Sequence, residues 1–284
     1  YQSFTAFMLY FYVDVLKLPV LLASIGMGIY GLWNALNDPL AGHISDRTRT
    51  RWGRRIPYVA LGSLPLAIAY AFVWTPPLED GAANPLGLFI YFVLIINVFD
   101  TLYTFVILNW TALFPEMYPG LSERAEVSSY RQQLGVIGLI AGVAAPPIIY
   151  GSLGWGWLGL LIGAMTLATL YVSVLGSKER IEYSLEKPLP FKDSFKATFS
   201  NRSFLLYVIP YLFVQFTFVI LTAVAPFYTK YVLGFDETQT ALFLLTAFLI
   251  FHCGFEEIGV LRMLQKREWP KQVDFRKETR YFHR

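Results

Sequence analysis

Residues Asn34–Arg55 read NALNDPLAGHISDRTRTRWGRR. A carboxylate, Asp38, interrupts a long apolar run, and five arginines follow within the next seventeen residues. On insertion scales a charge at the centre of a membrane helix costs roughly +2.5 to +3.5 kcal/mol, so such a residue faces a bundle interior or a watery path. The arginine block cannot enter hydrocarbon and marks the cytoplasmic side. This combination predicts a polytopic membrane protein with a solute or ion path.

The rest of the chain agrees. Hydrophobic residues make up 55% of 284 and charged ones 15%, with a mean hydropathy of +0.47. A soluble domain carries about 25% charged residues. The aromatic share of 17% suits interfacial belts of Tyr and Trp. A net charge of +3, confined to a few loops, gives no nucleic-acid footprint. Cys253 is the single cysteine, so no disulfide, thiol motif or zinc site is expected. His43, His252 and His283 have no metal-binding spacing. With no Ser-His-Asp set, Walker loop or HExxH, enzyme chemistry has no foothold. Tyr1 opens the chain inside an apolar run, which reads as a fragment with a truncated first helix.

Crossing a hydrocarbon core of about 30 Å takes 17 to 25 apolar residues. Eight such spans are predicted, near 1–16, 20–44, 58–74, 88–114, 127–150, 157–176, 204–232 and 238–251. Turns after the odd-numbered spans hold only Lys17 and Lys230, and the other basic residues fall on the opposite side. That asymmetry predicts a multi-pass protein of the cell membrane (inner or plasma membrane) with a cytoplasmic N-terminus. Residues 1–176 form a first six-helix bundle, 177–203 a cytoplasmic linker, 204–253 two helices of a second bundle, and 254–284 a polar, basic tail. FYVDVL at Phe11–Leu16 and FYTKYVL at Phe227–Leu233 echo one another weakly, as two parallel repeats would. A half-built second bundle leaves a central site without one wall, so this stretch alone is not expected to transport.

Asn34, Asn37 and Asp38 lie at i, i+3 and i+4 and share one helix face, flanked by Gly31 and Gly42, which would allow close helix approach. Pro39 frees a carbonyl one turn earlier. Together these oxygens suit Na⁺, or Asp38 alone takes H⁺; a buried polar lock between helices is the plainer alternative. Asn97, Asp100, Thr101 and Thr104 form a second stripe, suited to sugar hydroxyls or a cation. Trp110 can stack on a sugar ring or sit in an aromatic belt. Arg131 either reaches a carboxylate or polyol or is interfacial. Asp14 and Lys17 read as snorkelling surface charges.

NDPLAGHISDRTRTRWGRRIP, with ALFPEM and ERAEVSSYR, resembles the glycoside–pentoside–hexuronide:cation symporters, the melibiose-permease family of the major facilitator superfamily. The resemblance implies twelve helices in two bundles, a central sugar site and alternating access driven by Na⁺ or H⁺. It places Asp38, Asn34 and Thr104 at the cation, with Asn34 standing where the family has a second aspartate, and Asn37 joins them by sharing the helix face of Asn34 and Asp38. It places Arg131 near the sugar, and the residues themselves add Asp100 and Trp110. Asp46, Arg47, Arg51, Arg54 and Arg55 fall in the loop signature and imply a gating and topology network. The expected partners are a small sugar and the bilayer, with a monomeric protein and no cofactor beyond the coupling ion. A carrier of a non-sugar solute such as a lysolipid, or a membrane scaffold without transport, are the alternatives.

Overall fold

A computed structural model of the chain describes residues 1–78, 80–179 and 199–257. The helices are α1 (Gln2–Tyr10), α2 (Val20–Arg47), α3 (Ile56–Val73), α4 (Pro85–Met117), α5 (Leu121–Leu153), α6 (Trp155–Gly176), α7 (Arg202–Tyr231) and α8 (Glu237–Glu257). A π-helical turn, Phe11–Val15, closes α1. Six of these helices, α2 to α7, are long and apolar enough to cross a membrane. The all-α membrane architecture expected from the sequence is the one observed. Residues 180–198 and 258–284, which hold most of the expected linker and tail, lie outside the described residues.

Helix ends follow local chemistry. Asn84 caps α4 by accepting the Gly87 main-chain N–H at 2.9 Å, with Pro85 in the first turn, where its missing N–H costs nothing. α5 starts at Leu121, about two turns before the expected 127, because its polar first turns carry no hydropathy signal yet keep helical spacing. Gly154, at φ +93°, joins α5 directly to α6, a conformation that an L side chain resists.

α3 packs between α4 and α6, and α2 packs on α4. Small residues allow the α3–α6 approach: a Cβ on Gly163 would lie 3.0 Å from the Ala67 carbonyl. The close approach expected at Gly31 and Gly42 does not occur, since open space surrounds both. It falls instead at Gly26, where a Cβ would meet the Phe92 ring at 2.7 Å. The core gathers Phe4, Phe7, Phe11, Tyr12, Trp74, Phe92 and Phe99 from α1, its π turn, α3 and α4. α7 packs against α1, and α8 against α5. Along α5 and α7, burial concentrates at the end away from the arginine loop. Val143, Thr222, Thr229, Thr240 and Leu244 are buried there, while residues 128–135 of α5 are exposed.

Candidate functional site

A polar seam runs between α2 and α4. The Asn37 amide donates to Asp100 Oδ2 at 3.2 Å and to the Asp100 main-chain oxygen at 3.3 Å. The Tyr30 hydroxyl donates to Asp100 Oδ1 at 3.2 Å, and the Asn34 amide donates to that hydroxyl at 3.5 Å. One turn further along α4, the Thr104 hydroxyl donates to Asp38 Oδ1 at 3.1 Å. The donors named here are all neutral, so they orient the two carboxylates without cancelling their charge.

The seam corrects two expectations. Asp100 is the deeply buried acid, only 2% exposed, whereas Asp38 opens to the surface of α2. Asp100 also stands with Asp38 and not with Arg131. The stripe on α4 divides: Asp100 and Thr104 face the seam, while Asn97 bonds the Val93 carbonyl at 2.7 Å and Thr101 accepts from Trp33 Nε1 at 2.9 Å. Asn97, Thr101 and Trp33 line a separate, mostly apolar groove.

Arg131 sits nearly three turns inside α5 and finds aromatic faces where a carboxylate was one expectation. Its guanidinium carbon lies 4.9 Å from the Trp110 ring centre and 5.4 Å from that of Phe114. Trp110 is held by its indole N–H, which donates to Ser173 Oγ at 2.7 Å. These residues line a cavity of about 630 Å³ with Tyr118 and Tyr130. Stacked aromatics steady the charge by cation–π attraction and leave the guanidinium edge free to donate.

A second cleft, of about 370 Å³, lies between α1, α5 and α7 and is lined by Gln2, Thr5, Gln132, Gln215 and Thr222. Sequence reading missed it, because isolated glutamines on three distant helices have no spacing to detect. Their occurrence within apolar runs was the available signal.

At the arginine loop, only part of the expected set is engaged. Arg54 and Arg55 are buried and reach Glu116 at 2.7 Å and 3.4 Å, and Arg55 also pairs with Asp46 at 2.8 Å. Arg55 further donates to Ser45 and Asn109, each at 3.3 Å. Arg47 and Arg51 remain exposed. Glu179, just after α6, accepts the main-chain N–H groups of Arg54, Arg55 and Ile56 at 2.8, 2.9 and 3.3 Å. It thereby caps the start of α3, where unpaired N–H groups favour an anion. Neither Glu116 nor Glu179 was singled out from sequence, although Glu116 lies in the quoted ALFPEM.

Gly53 makes this cap possible. It sits at φ +100°, and a Cβ there would lie 2.2 Å from Glu179 Oε2. Gly53→Ala is expected to displace Glu179 and cost about 1–3 kcal/mol from backbone strain alone. Thermal unfolding of the detergent-solubilised variant against the parent measures it, and an unchanged midpoint would show that the cap is dispensable.

Six helices of membrane-crossing length, two of them joined by a polar seam that holds two carboxylates, define a polytopic membrane protein as a class. Sequence comparison narrows the class. The chain matches the family of MFS/sugar transport proteins over residues 1–258, and it belongs to that family. It is 36% identical over 182 residues to an uncharacterized symporter of Synechocystis sp., covering 61% of this chain and 34% of the relative. It is 25% identical over 207 residues to the isoprimeverose transporter of Lactiplantibacillus pentosus, covering 69% and 42%. It is 34% identical over 149 residues to the sodium-dependent lysophosphatidylcholine symporter 1 of Mus musculus, covering 51% and 28%. The chain thus spans less than half the length of each of these three relatives.

Proposed function

We propose that the protein carries a small neutral polyol of the sugar class, coupled to H⁺ or Na⁺ movement through the α2–α4 seam. The observation that carries this reading is the seam itself: two carboxylates on membrane-length helices, held by the neutral donors Thr104, Asn37 and Tyr30. Asp38, with Asn34, Asn37 and Thr104, binds the coupling cation, and Asp100 adds to that set instead of contacting the sugar. The glutamine-lined cleft suits the solute, because a carboxamide offers a donor and an acceptor side by side to neighbouring hydroxyls. Arg131 and Trp110 line the adjoining route. The arginine loop faces the cytoplasm, where Asp46, Arg54 and Arg55 brace the ends of α2, α3 and α4, and Arg47 and Arg51 fix topology. Residues 1–176 act as one bundle, and α7 and α8 open a second. The protein works as a monomer in the cell membrane.

An apolar cavity of about 450 Å³, lined by Phe7, Val143, Leu221, Ala225, Phe243 and Leu244, favours a second reading in which the solute carries an acyl chain. Uptake by liposomes holding the whole protein separates the two. A sugar carrier takes up labelled pentosides or hexosides only under an inward H⁺ or Na⁺ gradient, and a lysolipid carrier takes up labelled lysophospholipid instead. If sugar is the solute, Gln132→Leu removes one neutral hydrogen bond worth about 1 kcal/mol and raises the half-saturation concentration roughly three- to tenfold. Gradient-independent leakage of both solutes would sink the reading.

A further inference from the structure

Asp14 was expected to be a surface charge, yet it is only 7% exposed. Lys230 Nζ and the Tyr231 hydroxyl, at the end of α7, both donate to its carboxylate. Lys230 also stands 5.4 Å from the ring centre of Tyr10, so the contact ties the end of α1 to α7 through charge and an aromatic face. We propose that Asp14, Lys230 and Tyr231 form a latch closing the cleft at the end away from the arginine loop, and that the latch must part for that end to open.

Three independent features support it. Asp14 is presented by the π-helical turn Phe11–Val15, and such turns are rare and frequent at functional sites. The two partners also occupy matching places in the weak repeat. Counted from the shared Phe-Tyr, Asp14 corresponds to Lys230; counted back from the shared Val-Leu, it corresponds to Tyr231. An axis along the membrane normal brings equivalent positions face to face, and here the equivalents differ in charge, so they attract. Finally, the burial of α5 and α7 is concentrated at this end, while residues 128–135 of α5 are exposed toward the other. This is a cleft shut at one mouth and open at the other.

The Lys230 side chain is 45% exposed. Water can therefore compete for the ammonium, and a partly solvated pair is breakable where a fully buried one would not be. Tyr231 holds the carboxylate from a second direction and keeps it facing α7. The latch rests on the alternating-access reading but not on the identity of the solute.

Thr240 is buried beside the latch and lines the same small pocket as Lys230, so its accessibility reports opening. The test uses the 284-residue chain in nanodiscs, with Cys253→Ser and Thr240→Cys, labelled with a maleimide dye. Asp14→Asn and Lys230→Met should each raise the labelling rate about three- to tenfold, as expected for loss of a partly exposed charge pair. Lys230→Arg should keep it low, and the exchange Asp14→Lys with Lys230→Asp should return it towards the parent rate. Should Asp14→Asn fail to fold by circular dichroism, Lys230→Met and Tyr231→Phe carry the comparison. Single variants that label at the parent rate would overturn the latch, as would an exchange that stays open. Because no solute is needed, a negative result here leaves the transport reading untouched.

Discussion

Replacing Asp38 by asparagine is expected to reduce the accumulation ratio of the whole protein to about one, whatever the imposed ion gradient. The amide keeps the shape and can still accept from Thr104, whose hydroxyl lies 3.1 Å from Oδ1, but it carries no charge. A cation or proton then loses the Asp38 charge that favours its binding, and a ligand with little differential affinity shifts an equilibrium little. Downhill exchange of solute should survive, since the glutamine cleft is untouched. Counterflow measured beside concentrative uptake in the same liposomes distinguishes the two. Asp100→Asn is a more demanding comparison, because Asp100 accepts from both Asn37 and Tyr30. An amide there can turn only its oxygen to one donor, so loss of uptake should be accompanied by lower stability. If Asp38→Asn still concentrates solute, the coupling charge belongs to Asp100 alone.

Glu116→Ala is expected to produce the largest loss of stability, about 3–5 kcal/mol, because it removes the carboxylate that two buried guanidinium groups share and leaves Arg54 without a close one. Arg54 and Arg55 both reach Glu116 Oε1, at 2.7 and 3.4 Å, from the loop between α2 and α3. Asp46 still serves Arg55 at 2.8 Å, but Arg54 keeps only Glu179, whose Oε1 lies 3.9 Å from its Nε and whose carboxylate already accepts main-chain N–H groups. Glu116→Gln should fall between parent and alanine, since it keeps one acceptor but no charge. Urea or thermal unfolding in detergent micelles reads the order, and equal midpoints for parent and Glu116→Ala would show that the arginines find water instead. Arg51→Ala, on an exposed side chain, should leave the midpoint within about 0.5 kcal/mol of the parent.

Much of the architecture was legible because the bilayer imposes a length rule. Apolar runs marked α2 to α7, and only their ends moved: α5 extends through polar residues to Leu121, where hydropathy has nothing to report. Asp38, Asn37 and Thr104 stood out one residue at a time, since each costs free energy in hydrocarbon without a partner. Gly31 and Gly42 did not make the expected close contact, because a small residue permits approach without compelling it.

By itself, the sequence determined that the chain is a set of membrane helices, where most of them run, and which polar residues must be satisfied inside them. Those properties depend on local composition and on spacing within one helix, both readable along the chain. Only the tertiary structure decided the partners. It joined Asp100 to the Asp38 seam, separated it from Arg131, brought Glu116 and Glu179 to the arginines, and buried Asp14 against Lys230 across 216 positions of sequence. Each pairing depends on which helices pack and at what rotation. In a membrane, uniformly apolar helix surfaces leave that choice to side-chain packing and to a few interhelical hydrogen bonds.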